Sequence, residues 1–262
     1  MFKKVSKNIL KRDINFYEAN GFLKLNIFNK ADVNALNNRI LKKFDNTLKK
    51  IANNRIKIHR ISDYHKSVKS EKIHKMLTNP DLRFLKLSHK ITKKIMNNRI
   101  LNVLNYKWGH KKIVTSWIGN LEKNQLVYNA TGFRIARPVL KSNQDAAGVH
   151  LDINAGGQIR KDKNALVTIW IPLIGFNKNY TLRFAPGSHT VNHTISFIKK
   201  KKITPVVEKS YEKKFKFVRP TLKIGQAILL HSNLLHGGSR NFGKKTRVSL
   251  DVRILNLKRF LN

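Results

Sequence analysis

Hydrophobic positions recur along the chain with two different periods, and the change falls near residue 110. Before it, apolar residues step by three and four. Val33, Leu36, Ile40, Phe44, Leu48 and Ile51 form one stripe along a helix whose other face is Lys and Asn, a solvated surface on a packing helix. Upstream, residues 7 to 19 predict a short helix with Ile9, Leu10, Ile14, Phe16 and Tyr17 on its apolar side. Asn20-Gly21 stops it, and Phe22 to Phe28 follows as a strand. Asp32 is placed to cap the next helix. Residues 53 to 78 show no clear period. Asn79-Pro80-Asp81 then reads as a helix start, with Asn79 as cap, Pro80 in the first turn, and Leu82, Leu85, Ile91 and Ile95 as the buried stripe.

Beyond residue 110 the texture is different. Short β-rich runs alternate with Gly, Asn and Pro: Ile113 to Ile118, Gln125 to Ala136, Gly148 to Ile153, Ala165 to Pro172, Thr181 to Ala185, Gly225 to His231 and Thr246 to Ile254. Strands at such short spacing predict a sandwich or jelly roll, so the fold class is α+β with helices packed on a barrel. There is no internal repeat and no linker. A length of 262 residues suits one domain with a sizeable core. One insert, Ile198 to Pro220, carries Lys199 to Lys202 and Lys213-Lys214-Phe215-Lys216 between two expected strands. It reads as a solvated loop or as a basic rim over a substrate mouth.

The β-rich half also holds the candidate chemistry. His150 and Asp152 are two apart, so on a strand both side chains face one way. His236 lies far downstream, in Leu234-Leu235-His236-Gly237-Gly238-Ser239. Two imidazoles and one carboxylate make the ligand set of a non-heme iron(II) centre that leaves coordination positions open. Leu229 to His236 reads as a strand, and Thr246 to Arg253 alternates like a returning one. A hairpin through Gly237 to Gly243 would carry Arg247, a permanent cation with a fork suited to a carboxylate, back towards the metal.

These residues, with Phe133-Arg134-Ile135-Ala136-Arg137-Pro138, Leu182-Arg183-Phe184-Ala185-Pro186-Gly187-Ser188-His189, Asn241 and Arg247, resemble iron(II)/2-oxoglutarate-dependent dioxygenases of the phytanoyl-CoA hydroxylase type. Within that group the chain resembles small bacterial oxygenases of carbohydrate or antibiotic gene clusters. The resemblance spans about Phe16 to Ile254. It implies a double-stranded β-helix, the jelly-roll or cupin-like barrel, with residues 1–110 as helical cover and 111–262 as the barrel. It implies Fe(2+) held by His150, Asp152 and His236, 2-oxoglutarate as cosubstrate with its far carboxylate on Arg247, and release of succinate and CO2. Halogenating relatives lack the carboxylate ligand; Asp152 is present, so oxygenation by O2, ordinarily hydroxylation of a small molecule, is the expected outcome. Trp170 matches a position lining the cosubstrate pocket, and Thr168 shares its side of the strand. Relatives often place a serine two residues after the second histidine. Gly238 stands there, which leaves Ser239 or Ser249 as substitutes. Arg134 and Arg137 are candidates for a substrate or cosubstrate carboxylate.

Composition narrows the alternatives. The chain has no cysteine, so disulfides and thiolate metal sites are excluded. No apolar run reaches transmembrane length, and the basic N-terminus lacks the features of a secretory signal, which predicts a cytoplasmic protein. The net charge is +40, from 54 basic and 14 acidic residues. Basic residues are spread along the chain, which reads either as biased base composition, a bias that does not explain the shortage of Asp and Glu, or as a surface for polyanions. Non-specific attraction to polyanions follows in either case. The alternative function is a nucleic-acid-binding protein, or a nucleic-acid-directed oxygenase on the same fold, although no zinc module or aromatic-interleaved basic motif is present. His59, His65 and His74 have no visible acidic partner. His231 falls on the opposite strand face from His236, and His189 reads as structural. Substrate identity and oligomeric state are not readable at this level.

Overall fold

The computed structural model of the protein describes residues 7–52, 56–78, 85, 87–108, 131–138, 145, 148–153, 166–177, 181–193, 198–199 and 206–255. The expected helix start at Asn79-Pro80-Asp81, the strand Ile113 to Ile118 and the lysine run from 200 to 202 lie outside these residues.

Helix α1 spans Lys7–Asn20 and ends at Gly21, whose φ of 76° is left-handed. A Cβ at Gly21 would sit 2.5 Å from His189 Nδ1, so the turn and the packing both call for glycine. Strand β1, Phe22–Asn26, follows. Helix α2, Lys30–Ala52, buries the expected stripe of Val33, Leu36, Ile40, Phe44 and Leu48. Its cap differs from expectation. Asn29 Oδ1 accepts from the Asp32 N–H at 2.9 Å, and the Asn29 N–H donates to Asp32 Oδ2 at 3.0 Å. Asp32 is thus the returning member of a capping box, one turn inside the helix. A second correction concerns Leu85, Ile91 and Ile95, which do not share one helix. Ser88 is extended, its hydroxyl accepts from the Ile91 N–H, and helix α5 runs only from His89 to Ile95. A short-chain polar residue offering its oxygen to the backbone starts a new helix there. Helices α3 (Tyr64–Ser67), α4 (Glu71–Leu77) and α6 (Asn98–Trp108) complete the described helices before the sheet.

The remaining strands are β2 (Thr131–Ala136), β3 (Leu166–Ile174), β4 (Arg183–Phe184), β5 (Ile198–Lys199), β6 (Val206–Val207), β7 (Gln226–His231), β8 (His236–Gly237) and β9 (Arg247–Leu255). Five of them form one antiparallel sheet in the order β1-β7-β3-β9-β2. Alternation divides its two faces. On β9, Val248, Leu250, Val252 and Ile254 are fully buried in the cluster shared with α2 and the other helices. Val167, Ile169 and Ile171 do the same on β3. Burying each such side chain contributes about 1.5–3 kcal/mol. Arg247, Ser249, Asp251 and Arg253, with Thr168 and Trp170, take the other face.

That second face looks onto a smaller layer of short pairs. Strand β4 pairs with β8, and β5 with β6. Residue His150 joins them: it bridges His236 on one side and Val206 on the other. Gly148 to Ile153 is therefore not the regular strand expected. One residue pairs, and at Asp152–Ile153 the chain bends into a tight turn, fixed by the Ile153 N–H on Ser232 O at 3.0 Å. From residue 206 onward, the described part of the basic insert is not a solvated loop either. Val207 and Tyr211, the latter on helix α7 (Lys209–Glu212), pack against Val149, Leu151 and Ile153, while Lys213, Lys214 and Lys216 stay exposed.

Candidate metal centre

The two histidines meet through their backbones. The His150 N–H donates to His236 O at 2.8 Å, and the His236 N–H to His150 O at 3.2 Å. Their rings lie 4.4 Å apart between centroids. Each ring is oriented by its own chain: Nδ1 of His150 donates to Gly148 O at 2.8 Å, and Nδ1 of His236 to Leu234 O at 2.9 Å. With the proton on Nδ1, each Nε2 lone pair is left as a donor to a cation. Burial and the neighbouring His236 lower the His150 pKa to about 4, so this imidazole is neutral at neutral pH.

Asp152 closes the group. Its Oδ1 lies 3.7 Å from His150 Nε2, and its Oδ2 lies 3.5 Å from His236 Nε2. Donor atoms of the three residues all fall within 4.8 Å of one another, and all three side chains are buried. Burial alone would raise the Asp152 pKa, but Arg253, His236 and His150 outweigh it and hold the carboxyl below its usual range. Arg253 Nη2 donates to Oδ1 at 3.0 Å, whereas Oδ2 is buried with no hydrogen-bond partner. An orphaned carboxylate oxygen beside two imidazole lone pairs is costly unless a cation takes it. The donor set is hard and borderline, without sulfur, and fits iron(II).

The convergence arises differently from the sequence expectation. His150 and Asp152 do not share a strand face; the bend after His150 swings Asp152 onto the same point. Strand β7 ends at His231, the chain turns through Ser232 to Leu234, and His236 belongs to the other layer. Nor do β8 and β9 form a hairpin, because β9 pairs with β2 and β3. Arg247 approaches from the five-stranded sheet instead. Its entry is pinned by the preceding residue: the Thr246 N–H donates to Ser62 O at 2.8 Å, and the Thr246 hydroxyl meets His65 Nδ1 at 2.8 Å.

One cavity holds His150, Asp152, His236, Arg247, Ser249, Thr168, Trp170 and Arg134 along its wall. Arg247 is only 8% exposed; burial and nearby Arg219 lower its pKa to about 10, and it remains a cation at neutral pH. Ser249 is two residues along the same strand face, while the Ser239 hydroxyl is committed to Thr181 O at 2.6 Å. Of the two serines considered for the arginine, Ser249 is the one placed beside it in the cavity. The Thr168 hydroxyl is buried beyond ordinary hydrogen-bond distance of any acceptor, yet near enough to Asp152 to help hold its carboxyl pKa down.

Arg134 pairs with Asp251 at 2.7 Å at the cavity edge. Arg137 is placed elsewhere. Its guanidinium binds Asp145 through Nε and Nη2 at 2.9 Å and Glu71 at 2.7 Å, and it does not line the cavity. Asp145 also takes His74 Nε2 at 3.3 Å, so His74 does have an acidic partner, one distant in sequence. Asn241 donates to Ala136 O and Lys245 O, which shapes the turn before β9. His189 meets Glu18 O, a structural tether. No described residue of the 198–220 insert lines the cavity. Sequence reasoning missed Arg253; its signal was the odd-numbered polar face of β9, on which it follows Arg247, Ser249 and Asp251.

The sequence model of the family described as phytanoyl-CoA dioxygenase (PhyH) matches residues 17–249. The chain belongs to the phytanoyl-CoA dioxygenase family. As a member it is an iron- and 2-oxoglutarate-dependent enzyme, and both groups suit the cavity just described. Solved structures agree on the fold. The carbocyclase SnoK from nogalamycin biosynthesis, described as non-heme and alpha-ketoglutarate dependent, is 13% identical with a TM-score of 0.51, covering 97% of this chain and 85% of its own. The epimerase SnoN, solved with Fe3+, alpha ketoglutarate and nogalamycin RO, is 13% identical with a TM-score of 0.52, covering 95% and 84%. EctD from S. alaskensis, in its apoform, is 14% identical with a TM-score of 0.50, covering 98% and 81%. No curated protein matches the sequence. No described helix of this phytanoyl-CoA dioxygenase family member is long and apolar enough to cross a membrane.

Proposed function

We propose that the chain is a hydroxylase of a small organic molecule, with His150, Asp152 and His236 as iron(II) ligands and Arg247 as the anchor of 2-oxoglutarate. The observation that carries this reading is the buried, unpartnered Asp152 Oδ2 facing His236 Nε2, with His150 Nε2 alongside. Arg247 offers a fork for the cosubstrate's far carboxylate, Ser249 a hydroxyl beside it, and Trp170 and Thr168 a wall. Iron(II) held there with 2-oxoglutarate would, with O2 as co-reactant, supply the oxidant: one oxygen atom would end in succinate as CO2 is lost, and the other in the product hydroxyl. The protein's share is to hold both imidazoles in one tautomer, to keep one carboxylate oxygen available, and to exclude bulk water from a buried site. The presence of Asp152 supports oxygenation over halogenation. The five-stranded sheet facing a layer of short pairs, joined at His150 and His236, supports a double-stranded β-helix in a single domain. A cytoplasmic setting is part of the same proposal.

Anaerobic addition of iron(II) and 2-oxoglutarate is expected to give a weak visible charge-transfer band, and admission of air to give succinate. Absence of both overturns the reading. Supplying candidate substrates under 18O-labelled dioxygen then asks whether one labelled oxygen enters a product as hydroxyl.

A further inference from the structure

Several polar groups in the interior are not absorbed by the site as described. Asp145, His74 and Tyr64 form one chain, but both Asp145 oxygens are already taken by Arg137 and His74. Tyr17 and His189 leave polar atoms unpartnered behind α1, with no third metal donor grouped with them among the described residues. Arg253 is different, because it acts on the metal group itself.

Three facts place it. Strand β9 presents Arg253 on the same face as Arg247 and Ser249, and the register sets it directly across from Thr168 on β3. Its Nη2 donates to Asp152 Oδ1 at 3.0 Å. Asp152 Oδ2, the other oxygen of that carboxylate, is the orphaned one. Asp152 sits in a tight turn, and this bond steers its carboxylate from the sheet, with the Thr168 hydroxyl close enough to help hold the charge. Without it, rotation about the Cβ–Cγ bond would exchange the two oxygens or offer both together.

We propose that Arg253 is a positioning residue for the metal, holding Asp152 by one oxygen so that the other alone faces the cation. The proposal rests on the metal-site reading above. Two physical effects compete. A guanidinium near a divalent cation repels it, so its removal would tighten metal binding on charge grounds. A partner that orients a ligand favours binding, and its loss typically costs about 10–100-fold in affinity. The geometry points to orientation as the larger effect: the ligand is buried, the bond lies within hydrogen-bond distance at 3.0 Å, and a second unpartnered oxygen would have to be reburied.

The experiment is a calorimetric titration of metal-free protein with cobalt(II) under anaerobic conditions, following the visible cobalt spectrum. Wild type, Arg253→Ala, Arg253→Lys and Asp152→Ala are compared, with thermal melts of each metal-free form. Arg253→Ala is expected to bind cobalt about 10–100-fold more weakly, with an altered cobalt spectrum. Arg253→Lys, which restores a charged donor, is expected to recover part of the affinity and the wild-type band shape. If wild type binds and Asp152→Ala does not, but Arg253→Ala binds as tightly as wild type or tighter, the positioning role is wrong and the metal site stands. If wild type fails to bind, the metal-site reading falls and the positioning role with it. A lysine variant no better than alanine, at matched metal-free melting temperature, also overturns it.

Discussion

At the scale of single residues, the cavity pairs the candidate metal group of His150, Asp152 and His236 with the buried Arg247, and the two can be separated experimentally. Arg247→Ala removes a charge-assisted fork worth about 1.5–3 kcal/mol, so the 2-oxoglutarate concentration for half-maximal band formation is expected to rise about 10–100-fold. Iron(II) affinity in the absence of cosubstrate is expected to stay within about threefold, since the ligands do not depend on that side chain. Gly237 is a second residue-scale case. A Cβ there would lie 2.9 Å from Gly148 O and 3.0 Å from Val149 Cα, which is backbone that cannot rotate away. Gly237→Ala is expected to destabilise the protein by about 1–3 kcal/mol and to weaken metal binding, because the segment it displaces carries His150. Thermal melts and metal titration on one sample read both. The grouping of His150, Asp152, His236 and Arg247 around one cavity was legible from residue type and order. Arg253 was not, because its partner is 101 residues away and only the folded register shows the contact.

Between elements, the helical layer is fastened to the sheet by polar clamps as well as by its apolar stripe. Arg137 at the end of β2, His74 and Glu71 on α4, and Asp145 form one such clamp. Burial would raise the Asp145 pKa, yet hydrogen bonds from His74 and Arg137 hold it well below the usual carboxylate range. A carboxylate whose folded pKa is depressed contributes stability above its unfolded pKa, about 3.9, and loses it as pH falls through the folded value. Asp145→Asn is therefore expected to lower the melting temperature at neutral pH. The gap to wild type should narrow only below about pH 4; a gap that closes between pH 5 and 7 contradicts this account. Element types were largely readable: the stripe of α2 and the alternation of β9 come directly from period. Connections were not. The bend after His150, the turn at Ser232 to Leu234 and the assignment of β8 and β9 to different layers are tertiary outcomes, set by backbone bonds to residues distant in sequence. The clamp at Asp145 was hidden for the same reason, and Arg137 read as a candidate for a substrate or cosubstrate carboxylate rather than as a partner of Asp145 and Glu71.

For the molecule as a whole, charge and chemistry occupy different places. Acidic residues are few, 14 against 54 basic, and Asp13, Asp32, Glu71, Asp145, Asp152, Glu212 and Asp251 each appear in an ion pair. The excess of positive charge therefore lies largely outside these pairs. Binding to a random-sequence DNA duplex is expected at low salt and should fall steeply, by orders of magnitude, between about 50 and 200 mM. Retention of tight binding at the higher value would favour a nucleic-acid substrate over a small molecule. The paired backbone bonds between His150 and His236 have a separate consequence for isotope labelling. Each of these two amide protons can exchange with deuterated solvent only when the rung between the layers opens, and opening it also pulls the two imidazoles apart. A cation bound by both should slow exchange at these two positions by the factor 1 + [metal]/Kd, while amides on the outer face of α2 keep their rates. Two deuterium clocks within the chain would thus report metal occupancy with no substrate, cosubstrate or oxygen present.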